Sequence, residues 1–485
     1  MANKLKEGSL SFFESLILGI AGSGPANAIS LAMGSLVATA GLLAPSDVLI
    51  FAVTMLGIAL AYKALNRRTT HAGAAYNWVG QSFGKFAGFM SGWALISAQM
   101  IFIISGVVPL STAILNFIDP ALVNDIFIIT SLSVLWFLFI VGVTVVGIKT
   151  TSYLQVVLMT FEIVVMLGIG IEAIIHTHGA IFANTFSYHL YSPLYAIHHF
   201  SAANFSASAL IVVFLYWGWD VTANLGEETK DGSHAAGNGG LSGVIATIVL
   251  YSLYAAITVM LFSFAQAGNF SNNLLYQIAL ASGLGRIGGL VASIAVIFSS
   301  VATVQTGMLQ VTRTIFAMGR DGALPRYLGT VSEKNQTPMA ATYWLIGAGL
   351  AGILVTGFMP SVGAILSDAV SASGLQVVCY FGLAGLVSAW VFRKIYKESW
   401  LRWVAFSVFP GLSAVFLLLL GVYSITTFNL PTAIVGIGAL LVGTLFFRPK
   451  RYRVDEAISA YVPTSGANQT FPSDEMIVSD SKIVP

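Results

Sequence analysis

Four residues in the middle of an apolar run, Gly22-Ser23-Gly24-Pro25, are placed to do chemistry. The run extends from about Phe12 to about Ala40 and is otherwise long enough to cross a membrane. Pro25 has no N–H and clashes with the preceding turn, and glycine is a poor helix former, so the helix is expected to break there. Unsatisfied backbone in hydrocarbon costs several kcal/mol, so such a break survives only where it lines a buried cavity. The break then offers backbone groups to a polar ligand. On its far side Ser23, Gly24 and Ala26 can donate N–H groups at the positive end of a helix, where a carboxylate is favoured. On its near side the carbonyls around Ile20, Ala21 and Gly22 have the sign to hold an ammonium.

A second interruption, Phe214-Leu215-Tyr216-Trp217-Gly218-Trp219-Asp220, falls about midway through another apolar run. Carbonyls near Phe214 and Tyr216 would join those of the first break. Tyr216, Trp217 and Trp219 can wall a pocket, or equally pack against lipid or core. Gly218 alone would read as a close-packing glycine between helices. The two interruptions lie at matched depth in oppositely directed spans, five spans apart, as an inverted five-helix repeat predicts.

Other polar residues sit where hydrocarbon should be. Glu162 lies about 16 Å into its span, counting from about Thr151. Intramembrane carboxylates are expensive and are either paired or functional, so Glu162 is read as a proton-coupling residue. Gln99 is mid-bilayer and must be hydrogen-bonded, either to substrate or between helices. Ser371, Ser373 and Gln376 are similar candidates of lower weight. Ser299, Ser300 and Thr303 are a candidate sodium site if they face the first break, although hydroxyls in membrane helices more often bond their own backbone. Asp220 is read as a cap or paired acid. Glu227, Glu228 and Arg313 are read as a surface gate with Trp219. Solvated ion pairs there are worth little statically.

These residues require a membrane scaffold. The chain has 485 residues, 56% apolar and 9% charged, against about a quarter charged for a soluble domain. Twelve spans are expected, at about 12–40, 47–65, 86–112, 125–147, 151–175, 203–226, 240–266, 285–313, 339–357, 362–392, 402–422 and 428–447. With the N-terminus inside, every Lys and Arg from Lys4 to Arg453 except Arg286 falls on the cytoplasmic side, which fixes the orientation with both termini cytoplasmic. The first run is too long for a cleavable leader and lacks a small-residue cleavage site. A lone cysteine, Cys379, excludes an internal disulfide. The net charge of +2 points to no nucleic-acid partner. His176, His178, His189, His198 and His199 share the outer loop 176–202, but their spacing fits no standard metal site. Residues 454–485 are polar and aperiodic, as in a disordered tail.

Three segments carry a family resemblance. The first inner loop reads HAGAAYNWVGQSFG, His71 to Gly84, followed by GFMSGW. The second interruption and its exit read YWGWDVTANLGEETKD, Tyr216 to Asp231. The end of span eight reads TRTIFAMGRDGALP, Thr312 to Pro325. Together they resemble the amino acid–polyamine–organocation (APC) superfamily of permeases over roughly residues 10–447. The resemblance implies an all-α polytopic membrane protein: a five-plus-five inverted repeat with broken helices one and six, plus two peripheral helices. The units are then an N-terminal tail (1–11), a transport core (12–392), peripheral helices (402–447) and a C-terminal tail (448–485). Pro25 stands where the family usually has an isoleucine, so the carboxylate cradle has one donor fewer. Aligning Gly147-Ile148-Lys149 with the family's Gly-x-Lys motif places Glu162 where many members carry a span-five lysine.

The reading is a secondary active amino acid transporter of the plasma membrane, working by alternating access. Its coupling ion is a proton in preference to sodium, its partners are substrate and lipid, and it needs no cofactor or metal. A polyamine or other amine transporter, an exchanger, and a non-transporting sensor are the alternatives. No mid-membrane constellation of catalytic residues supports an enzyme.

Overall fold

The computed structural model describes residues 5–145, 148–177, 201–270, 273–333, 336–359, 362–449 and 452. The tail beyond Tyr452 and most of the loop that carries His178, His189, His198 and His199 lie outside the described residues. The described residues are helical, without a strand; an isolated bridge joins Leu10 to Thr229. Nine helical stretches among them are long and apolar enough to cross a membrane. The difference from twelve lies at three places. Phe12–Arg68 is counted as one stretch although Gly41 turns the chain at its middle. The sixth expected span is cut to the helix Ala202–Leu215, too short to be counted. The last, Leu430–Phe446, is a shorter apolar helix.

The first helix, Phe12–Ser23, starts on a capping box: Ser11 Oγ accepts from the Glu14 N–H, and Glu14 Oε2 accepts from the Ser11 N–H at 2.7 Å. It ends at Gly24, which adopts φ +48° and ψ +68°. Glycine takes this left-handed geometry without the Cβ penalty. Pro25 opens the next helix, Pro25–Ala28, where its missing N–H is no loss. The chain continues through a π-helical turn, Ile29–Met33, into Gly34–Ala40. The break is therefore sharper than expected: Gly22 and Ser23 stay helical and one residue makes the turn.

The second break runs from Tyr216 to Asp220 between Ala202–Leu215 and the short helix Val221–Asn224, with Gly218 at φ +102°. Glycines bring the surrounding helices together. A Cβ on Gly239, in helix Gly232–Leu261, would lie 2.7 Å from the Ser15 Cβ, and one on Gly243 would lie 3.0 Å from the Gly19 carbonyl carbon. Small residues at such contacts let membrane helices approach closely. Outward-facing apolar side chains, such as Leu419 and Val422 on helix Phe409–Ser424, leave that helix with a lipid-compatible surface.

The N-terminal segment is docked. The Ser9 and Leu10 N–H groups donate to the Glu228 carbonyl at 2.8 and 3.0 Å, and the Lys230 N–H donates to the Leu10 carbonyl at 2.7 Å. Leu10 is fully buried. Lys149 Nζ reaches back to Glu14 at 2.8 Å, tying helix Ile148–His176 to the start of the first helix.

Candidate functional site

At the first break the freed N–H groups find partners within the chain. Gly24 N–H donates back to the Ile20 carbonyl at 3.0 Å. Ala26 N–H donates to Glu162 Oε1 at 2.8 Å, and Asn27 N–H donates to Ser299 Oγ at 3.1 Å. Ser299 Oγ donates in turn to Glu162 Oε1 at 2.9 Å. Glu162 thus caps the outer half of the broken helix, as an anion suits a helix N-terminus. It is fully buried, and its Oε2 has no hydrogen-bond partner among the described residues.

All three expected donors are therefore committed to the chain in this conformation, Ser23 within the last turn of its helix and Gly24 and Ala26 as above. Ser299, Ser300 and Thr303 do face the break. Ser300 Oγ donates to Asn27 Oδ1 at 3.0 Å, Thr303 Oγ1 donates to the Ser299 carbonyl at 2.8 Å, and a Cβ on Gly24 would lie 1.8 Å from Thr303 Oγ1.

The two breaks cross backbone to backbone. A Cβ on Gly22 would sit 2.2 Å from the Gly218 carbonyl oxygen, and one on Gly218 would sit 2.1 Å from that of Gly22. Beside this crossing is a cavity of about 20 Å³, bounded by Gly22, Ser23, Asn27, Gln99, Trp217 and Gln310 among others. That is room on the order of one water, so an amino acid enters only if the helices part. Phe102, Phe214 and Trp217 form its aromatic wall, with ring centroids about 6 Å apart. Tyr216 is turned away from the cavity lining and donates to the Val48 carbonyl at 3.1 Å. Trp219 packs edge-on against Tyr62 at 5.2 Å, on the side of the second break toward the basic loops. Ile20, Ala21, Gly24 and Ala26 are buried but do not line the cavity. Of the lower-weight candidates, Gln376 donates to the Gly436 carbonyl and Ser373 is buried, both away from the lining.

Behind the wall runs a polar chain. Trp217 Nε1 donates to Tyr380 Oη, and Tyr380 Oη donates to Asp220 Oδ2 at 2.9 Å. From the other side Gln310 Nε2 donates to Asp220 Oδ2 at 2.8 Å, and Gln99 Nε2 donates to Gln310 Oε1. Asn27, Phe102, Gln310 and Tyr380 were not singled out by sequence reasoning.

The expected surface gate is not a solvated one. Arg313 grips Glu228 through two nitrogens, at 2.8 and 3.0 Å, with side chains 3% and 0% exposed. The reason is length: helix Gly285–Arg320 runs past Arg313, so that residue lies inside the bundle instead of at its surface. Removing one partner would leave a buried charge unpaired, which typically costs about 3–5 kcal/mol. Glu227 pairs instead with Arg320 at 2.7 Å and accepts from the Ala72 N–H at 2.8 Å. Burial pushes the Glu227 carboxyl up, but the hydrogen bonds and charge of Arg320 outweigh it and hold the group below its usual range.

His71 sits against this cluster, its Nε2 at 2.9 Å from Arg320. Burial, then the Arg320 charge, lowers its pKa from 6.5 to about 4, with Glu227 opposing. The imidazole stays neutral while an unfolded chain would take up a proton below 6.5. Stability should therefore fall as pH drops from about 6.5 toward 4, by on the order of 2 kcal/mol at pH 5. Thermal unfolding of the detergent-purified protein at pH 7 and 5 checks this. His71→Gln should flatten the difference, and an unchanged slope would place the titration elsewhere.

Residues 10–440 match the amino acid permease family. Branched-chain amino acid permease BcaP of Bacillus subtilis (strain 168) is 27% identical over 71% of this chain and 74% of its own length. The low-affinity putrescine importer PlaP of Escherichia coli (strain K12) is 25% identical over 61% of this chain and 63% of its own. The mitochondrial cationic amino acid transporter 3 of Arabidopsis thaliana is 23% identical over 66% of this chain and 54% of its own.

Proposed function

We propose that this chain, which belongs to the amino acid permease family within the APC superfamily, carries an amino acid across the plasma membrane by alternating access, coupled to a proton through Glu162. It is a transporter of amino acids or amines and not an enzyme. Twelve spans, a five-plus-five inverted repeat and cytoplasmic termini complete the reading. The excess of Lys and Arg on one set of loops and the paired breaks support it.

The observation that carries the coupling is the bond from the Ala26 N–H to a buried carboxylate that no cation neutralises among the described residues. That N–H belongs to the group of donors a substrate carboxylate would seek. While Glu162 is ionised it holds the donor for itself. Once protonated it attracts the donor less, and the substrate carboxylate can take its place. Loading a proton and loading an amino acid then favour each other, which is the thermodynamic requirement for coupling. The ammonium falls to the Gly22 carbonyl. That oxygen lacks a helical donor because Pro25 has no N–H and Ala26 has turned to Glu162.

A second reading rests on Asp220. It is a further buried carboxylate beyond Gln310, and a diamine could span from it to Glu162. Uptake into proteoliposomes separates the readings. Labelled amino acids should accumulate under an inward proton gradient, and uptake should weaken as external pH rises. Uptake driven by sodium alone, indifferent to pH, would move the coupling role to Ser299, Ser300 and Thr303. Accumulation of putrescine without amino acids would favour the diamine.

A further inference from the structure

We infer that Asp220 fixes the direction of a hydrogen-bond relay whose far end, Gln99 Oε1, selects amino acids with a donor on the side chain, such as threonine, over their apolar isosteres. This rests on the amino acid reading above.

The direction of the relay follows from donor chemistry. The indole nitrogen of Trp217 can only donate, so Tyr380 Oη accepts from it and its own hydrogen goes to Asp220. Asp220 Oδ2 is thereby an acceptor. It orients the Gln310 amide with its nitrogen inward, at 2.8 Å. The Asn224 Oδ1 at 3.2 Å from the same nitrogen agrees, because Asn224 Nδ2 is committed to the Ala72 carbonyl at 2.8 Å. Gln310 must then present its oxygen to Gln99, and Gln99 must answer with its nitrogen. The remaining atom, Gln99 Oε1, is the end of the chain.

That oxygen has no partner among the described residues, although Gln99 is only 2% exposed. It lies over Gly307, where a Cβ would come within 2.5 Å of it, and both residues bound the cavity. A buried amide oxygen without a donor is costly, and each one in a native protein calls for an explanation. A substrate donor satisfies it. The ammonium is not the natural candidate, since the Gly22 carbonyl at the break has the same polarity and no helical donor. Gln99 stands on another helix, Lys85–Ile118, where the rest of the substrate would extend. Phe102 and Trp217 beside it make the surroundings largely apolar, so the bond is made in a low-dielectric setting.

Threonine and valine test this, being alike in shape but for the hydroxyl. Their affinities for the purified full-length protein can be measured by calorimetry or ligand-induced thermal shift. Threonine is expected to bind about tenfold tighter or more, since sites built to hydrogen-bond a hydroxyl reject the analogue lacking it. Gln99→Met and Asp220→Asn should each bring the ratio toward one. A purely structural role for either residue would weaken both ligands and leave the ratio alone, which would overturn the assignment. The wild-type ratio decides even if a variant fails to fold. Valine binding as tightly as threonine removes this inference and leaves the amino acid reading standing. Binding of neither, nor of any other amino acid, removes both.

Discussion

Glu162→Gln is expected to bind and exchange substrate while losing accumulation driven by a pH gradient. Glutamine keeps an acceptor where Glu162 Oε1 meets the Ala26 N–H and Ser299 Oγ, at 2.8 and 2.9 Å, so the half-helix stays capped. As a neutral amide, glutamine holds the donor more weakly than a carboxylate and yields it to substrate. It resembles the protonated acid in shape and charge but cannot release a proton. A gradient of one pH unit stores about 1.4 kcal/mol per proton, enough for about tenfold accumulation with one proton per substrate. Wild-type proteoliposomes should approach that ratio, and the variant should equilibrate near unity. Counterflow, which needs no net driving force, should persist. Unchanged accumulation in the variant would make Glu162 a structural acid and the proposed coupling wrong.

The second large effect is on folding. Gly218→Ala would place a methyl about on top of the Gly22 carbonyl, 2.1 Å from its oxygen, at a residue whose φ is +102°. The obstructing atoms are backbone and cannot rotate aside. Strain at such a φ costs roughly 1–3 kcal/mol, and forced overpacking about as much again. The sum is a large share of ordinary folding stability. Gly142→Ala is the control, since a Cβ there meets nothing within 4 Å. Gly218→Ala should unfold at a markedly lower temperature than Gly142→Ala, or fail to purify as a single species. Equal unfolding temperatures with unchanged substrate binding would mean that the two breaks do not touch.

Both breaks were legible in the sequence because glycine and proline act locally. Pro25 forbids one hydrogen bond and Gly24 accepts a left-handed turn, whatever surrounds them. The depth of Glu162 was legible for the same reason, by counting 1.5 Å per residue along one helix. Its partner was not, because the Ala26 N–H is 136 positions away and no local pattern pairs them. Asn27 escaped notice beside the more conspicuous glycines. Gln310 escaped notice for want of a partner, yet a signal existed. Gln99, Gln155, Gln305 and Gln310 are all fully or nearly fully buried, and four amides inside apolar helices need one another. Arg313 was misjudged by a helix end: extending the span to Arg320 turns a surface charge into a buried one.

The docked N-terminus adds a mechanical consequence. Ser9 and Leu10 hang on the carbonyl of Glu228, whose side chain holds Arg313, and Lys230 hangs on Leu10 in return. A pull on Ser9 or Leu10 therefore reaches Glu228, and through it the buried ion pair, by two backbone bonds. A movement that carries the Glu228 backbone away from Arg313 must drag or peel this strap. The segment at Ser9 and Leu10 thus acts as a tether on that side of the molecule, and a load on it bears on the same latch.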